Sequence, residues 1–185
     1  MLMAIDPAFA NTGWVLAEKG TIFKSGIIIT KPSTRKTHSK TFVDAERAQK
    51  ITKDLLDVIE EYEVQGIVSE IPAGSQSARA AKLLGTSVGL MIGLCTTARL
   101  PIDWYMEGSV KEALCGRRDA NKRDMIEAAV DFVGGKKKEK QTNAGTRRDY
   151  FICGEWWPYG KAEHIADAIG VYVAARSSNL VLLYG

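Results

Sequence analysis

The chain has 185 residues, 45% hydrophobic and 25% charged, with a formal net charge of +3 at pH 7. That length suits one domain with a sizeable core, and a composition at the globular average excludes disordered, collagen-like and coiled-coil classes. The apolar run VGLMIGLC falls short of the ~20 residues that span a bilayer, and strand-like sequence begins at once, so neither a membrane partner nor a targeting leader is expected.

In chain order, LMAID reads as a buried strand that stops at Asp6, GWVLAE as a second, and TIFKSGIIIT as a third, with EKGT supplying a hairpin turn between the last two. After a basic loop, FVDAERAQKITKDLLDVIEEY places Ala48, Ile51, Leu55, Val58 or Ile59, and Tyr62 at helical spacing. QGIVSEI follows as a fourth strand, SQSARAAKLLGTSVGLMIGLCTTAR as a long helix, and PIDWYM as a fifth strand. SVKEALCG predicts a short helix opened by a capping box of Ser109 and Glu112. ANKRDMIEAAVDFV and KAEHIADAIGVYVAAR supply two more helices, and the stretch 134–160 between them shows no periodicity and reads as a long functional or mobile loop. The fold class is therefore α/β: three antiparallel strands, then two parallel ones, in a mixed five-stranded sheet flanked by helices. In such sheets ligands bind outside the carboxyl ends of the parallel strands.

Cys95, Cys115 and Cys153 are odd in number and widely spaced, which argues against a disulfide framework and a zinc site and for a reducing cytoplasm. The positive charge is clustered. Residues 31–40 hold basic residues and no acid, 116–123 are mostly basic, and 136–148 hold Lys136, Lys137, Lys138, Lys140, Arg147 and Arg148 against Glu139 alone. Several such blocks in one small domain favour a polyanion partner over solvated loops.

Asp6 closes the first strand and Glu70 the fourth, so neighbouring strands carry an acid to the same rim. A strand-end Asp before Pro7 is ordinarily a turn residue. Two neighbouring carboxylates, however, repel and are costly near a dry sheet unless a cation compensates. Oxygen ligands suit Mg²⁺ or Mn²⁺. His164 and Asp167, three apart, share one helix face at the border of the buried side, in what reads as the first turn.

These segments resemble the RuvC-type Holliday junction resolvases of the RNase H-like superfamily. AIDPAFANTGW is similar to that family's first-strand motif, SEIPAGSQSARAAKLLGTSVG to its second acidic motif and following helix, GSVKEALCGRRDANK to its Val-Lys…Gly…Lys segment, and HIADAIG to its terminal motif. The resemblance runs from residue 1 to about 133 and resumes over 161–175. It implies an RNase H-like fold and a metal-dependent endonuclease that resolves four-way or branched DNA by paired phosphodiester hydrolysis. Asp6, Glu70, His164 and Asp167 are implied to hold Mg²⁺, with Mn²⁺ able to substitute. Lys111 and Lys122 are implied to approach DNA phosphate; the basic run Lys136, Lys137, Lys138, Arg147 and Arg148 lies outside the resemblance and is expected from its charge to bind DNA as well. Paired symmetric cuts imply a two-fold homodimer, and Gly85, Gly89 and Gly93 form a bare helical stripe that either faces a second copy or packs on its own sheet. Two departures stand out. EIPAGSQ has no aromatic residue after the second acid, unlike the bacterial cellular enzymes, and 134–160, with EWWPYG, reads as an insertion in the manner of bacteriophage members. Trp156 and Trp157 are core plugs, a dimer contact or a stacking surface for bases. The expected location is the cytoplasm, bacterial or of a phage-infected host. Rival readings are another RNase H-like nuclease acting on branched DNA or RNA-DNA hybrid, a non-catalytic junction-binding protein, and an actin-like ATPase, which would need a second glycine-rich phosphate loop.

Overall fold

The computed structural model describes residues 1–32, 39–72, 74–75, 77–142 and 145–185. Most of the basic segment 31–40 therefore lies outside the described residues, as do Ala73 and Gln76 of the segment after the second acid. The first five strands are β1 (Leu2–Asp6), β2 (Asn11–Glu18), β3 (Thr21–Ile29), β4 (Gly66–Ile71) and β5 (Ile102–Met106), in the sheet order β3-β2-β1-β4-β5. β1 pairs antiparallel with β2 and parallel with β4, which in turn pairs parallel with β5. This is the mixed sheet expected from the sequence, with β1 at its centre.

Strand alternation divides the apolar residues between two cores. Leu2, Ala4, Val15 and Val68 enter the core formed with α3 (Glu107–Cys115), α4 (Lys122–Phe132) and α5 (Tyr159–Ala175). Met3, Ile5, Leu16 and Ile67 face the opposite core, under α1 (Lys40–Glu61) and α2 (Ala78–Ala98). Asp6 and Glu70 continue the alternation of Ala4 and Val68, so both acids emerge on the α5 side. A last short helix, α6 (Asn179–Tyr184), follows α5 and is not apparent in the sequence pattern.

The β2–β3 hairpin turns on Lys19 and Gly20, both at positive φ (51° and 80°), as EKGT predicts. The stretch 134–160 differs from the sequence reading. It forms a second antiparallel sheet of β6 (Lys136–Thr142), β7 (Gly145–Ile152) and β8 (Glu155–Pro158). Its β7–β8 turn places Cys153 and Gly154 at φ 49° and 88°, a two-residue hairpin in which cysteine takes the left-handed position that asparagine usually fills. Tyr150 and Ile152 anchor this sheet in the α5-side core.

Two local expectations are corrected. β5 runs directly into α3, whose N-cap is Met106 without a side-chain cap, so Ser109 lies inside the helix and the Ser109–Glu112 capping box does not form. The box occurs instead at α4, between Asn121 and Asp124. α5 begins at Tyr159, which moves His164 and Asp167 beyond the first turn. α2 is long and apolar enough to cross a bilayer by length and composition, contrary to the estimate from VGLMIGLC, but Met91, Leu94 and Cys95 are packed in the second core.

Candidate metal centre and active site

Three elements deliver the central side chains. β1 ends at Asp6, which is 9% exposed; β4 brings Glu70 beside it; and α5 crosses that face of the sheet. The crossing is close because Gly13 on β2 has no side chain: a Cβ there would overlap the His164 carbonyl and approach the His164 Cβ to 3.0 Å. His164 Nδ1 and Asp6 Oδ2 are consequently 2.8 Å apart, at hydrogen-bond distance. An imidazole that donates through Nδ1 keeps the Nε2 lone pair available.

Asp6, His164 and Asp167 each offer a ligand atom within 4.8 Å of the others'. Glu70 stands outside this group but interacts with it electrostatically. Its carboxyl is pushed up to about 8 by burial first, then by the charges of Asp6, Asp167 and Glu107. Asp167 is raised to about 7 by burial, Asp6 and Glu163, and Asp6 is raised by burial despite the His164 hydrogen bond. For His164 burial opposes the charged form, but the Asp6 hydrogen bond and the Asp6, Glu163 and Asp167 charges outweigh it and the pKa rises. Every one of these shifts reports negative charge crowded into a poorly solvated place. A hard divalent cation removes that penalty, and an oxygen-rich set with one imidazole fits it.

Beside the acids lies a cavity of about 270 Å³ whose lining includes Glu70, Glu107, Lys111, Lys122, Glu163 and Asp167. Lys111 Nζ pairs with Glu107 at 2.6 Å and Lys122 Nζ with Glu163 at 2.5 Å. Both predicted lysines thus reach the site, each tethered to an acid that the sequence reading missed. Glu107 had a signal: it directly follows β5, as a third acid at the carboxyl end of a third parallel strand. Glu163 could have been noticed four residues before Asp167, on the same helix face.

The other predicted basic residues lie apart from this cavity's lining, on β6 and β7. Their register separates them. Lys137 pairs with Glu127 and Glu139, and Arg148 with Glu139, whereas Lys136 and Lys138 make no ion pair among the described residues. Arg147 pairs with Asp149.

No family model matches the chain. It is 28% identical over 156 residues to the crossover junction endodeoxyribonuclease RuvC of Trichlorobacter lovleyi, covering 82% of this chain and 83% of that protein. The corresponding enzyme of Ehrlichia ruminantium (strain Gardel) is 24% identical over 125 residues, 67% of this chain and 77% of the relative. The resemblance to RuvC-type resolvases is borne out. Among solved structures, T. thermophilus RuvC in complex with Holliday junction substrate superposes with a TM-score of 0.64 at 18% identity, covering 94% of this chain and 90% of that one. A second Thermus thermophilus RuvC structure gives 0.62 at the same identity. The fold is RNase H-like, a mixed five-stranded sheet flanked by helices.

Proposed function

We propose that the chain is a single RNase H-like nuclease domain, 1–185, that resolves four-way or branched DNA junctions by metal-dependent phosphodiester hydrolysis, with 134–160 as an added basic sheet. The observation that carries this reading is the convergence of Asp6, His164 and Asp167 within 4.8 Å, beside Glu70, at the carboxyl ends of β1 and β4. The RuvC relatives support it.

Asp6, Glu70, His164 and Asp167 hold Mg²⁺, with Mn²⁺ able to substitute. Asp6 lies between Glu70 of β4 and His164 and Asp167 of α5, so the four would hold the ions together. Bound divalent ions supply an activated water and stabilisation of the departing 3′ oxygen. The chain's own residues do the rest. Burial of the carboxylates keeps bulk water from screening their charge, and the Asp6 hydrogen bond fixes the imidazole plane. Lys111 and Lys122, paired with Glu107 and Glu163 at the cavity wall, would meet the incoming phosphate as point charges. Lys136, Lys138 and Arg147 extend the positive surface for the junction arms, while Lys137 and Arg148, held by Glu127 and Glu139, lie on the opposite face of the small sheet.

Paired cutting calls for a homodimer, and the exposed side of α2 supports one. A Cβ on Gly85, Gly89 or Gly93 would meet nothing within 4 Å, so close packing on the chain's own sheet does not explain them, and Ile92 beside them is 50% exposed. The cytoplasm is the corresponding location. The test is cleavage of a four-way junction, a fork and a duplex with and without Mg²⁺. Asp6→Asn and Glu70→Gln are expected to lose cutting by at least about 100-fold, the scale of a lost metal-centre group, while still binding the junction in a mobility shift. Either variant cutting at the parent rate refutes the assignment.

A further inference from the structure

The small sheet has two chemically different faces. Strand pairing sets Lys136 opposite Phe151 and Phe151 opposite Trp156, Lys138 opposite Asp149, and Lys140 opposite Arg147. These residues share the outer face. The inner face carries Lys137, Arg148, Tyr150 and Trp157; there Tyr150 is fully buried and the two cations are neutralised by Glu127 and Glu139. Only the outer face presents free charge: Lys136, Lys138 and Lys140 make no ion pair among the described residues, and Asp149 answers Arg147 alone.

Trp156 is the other component. Trp156 is 49% exposed, and neighbouring side chains hold its ring. Phe151 packs against it with ring centres 5.4 Å apart, and Lys138 Nζ lies 6.0 Å over it. We propose that this outer face binds an unpaired DNA strand, with a base stacked on Trp156 and the neighbouring phosphates on Lys138, Lys140 and Arg147. The argument is one of complementarity. A sheet face with an open indole among unpaired lysines satisfies both parts of a single strand, its π faces and its phosphates. A duplex offers only the phosphates, because its bases are already stacked inside, and would leave the indole in water. Alternate strand residues stand about 6.8 Å apart, so the lysines form a row and not a single point of charge. β8 leads directly into α5, the helix of His164 and Asp167. The inference draws on the nuclease reading only in taking DNA as the ligand.

The experiment measures anisotropy of a labelled 20-nucleotide thymidylate oligomer and a blunt 20-base-pair duplex, in chelator so that nothing depends on the metal centre. Trp156→Ala is expected to weaken binding of the oligomer at least about 5-fold, the loss of one base–aromatic stack, and to change duplex binding less than twofold. Trp156→Phe retains most of the affinity. Replacing Lys138, Lys140 and Arg147 by Gln lowers the log–log salt slope on the oligomer by about 2, from about 0.7 per phosphate, whereas Lys137→Gln with Arg148→Gln leaves it unchanged. The proposal is overturned if the parent has no measurable affinity for the oligomer, if Trp156→Ala binds it as the parent does, or if oligomer and duplex lose equally. Junction cutting by the parent in Mg²⁺ decides the nuclease reading separately.

Discussion

Glu70 shows most directly what the site costs without a cation. Its ordinary value of 4.5 becomes about 8 in the folded chain, chiefly by burial. Between those values the folded protein holds a proton that the unfolded chain has released, so stability falls as pH rises from about 4.5 to about 8. Asp6 and Asp167 are raised in the same sense. His164 adds to the trend, since a raised imidazole pKa contributes stability at low pH that is lost as pH passes through it. Metal-free Glu70→Gln is therefore expected to melt above the parent at pH 8 and beyond, and with it at pH 4.5. Calorimetry in chelator measures this, and a variant that melts below the parent at pH 8.5 contradicts it. With Mg²⁺ added the order reverses, because the parent then gains binding energy that the amide cannot supply.

The close contact of β2 and α5 belongs to the scale of elements. Gly13 is where a strand and a helix backbone approach, and the helix residue facing it is His164 itself. Gly13→Ala forces the two elements apart at a cost of about 1–3 kcal/mol and carries His164 away from Asp6. The expected result is a folded protein of lower Tm whose single-turnover cutting falls further than its junction affinity. Equal retention of cutting and binding would mean that α5 tolerates the shift. The helix reads correctly in HIADAIG because its apolar period is clear. Its start is less legible, since YGK and the preceding Pro158 give no side-chain cap.

At the scale of the whole molecule, the sheet has one helical layer that is covered and one that is not. α5 is buried nearly all round, while α2 turns Gly85, Gly89, Ile92 and Gly93 outward. The parent is expected to sediment as a dimer and Gly89→Leu as a folded monomer, since the added side chain has open space within its own chain. A nicked junction in place of paired cuts should accompany the monomer. Persistence of the dimer in Gly89→Leu places the interface elsewhere.

The sequence alone determined the five-stranded sheet, because period-2 and period-3.6 patterns are local and strong, and it determined that Asp6 and Glu70 end neighbouring strands. It carried His164 and Asp167 as a pair on one helix face. Tertiary structure decided that this helix lies against β1 at 2.8 Å from Asp6, a distance set by Gly13, a residue with no side chain to read. It also brought Lys122 of α4 to Glu163 of α5, a pairing made by helix docking and not by spacing. The small sheet was hidden for a different reason. KKKEKQT is exposed at every position, so it has no apolar alternation to announce a strand, and only pairing with β7, whose Tyr150 and Ile152 enter the core, gives it an inside and an outside.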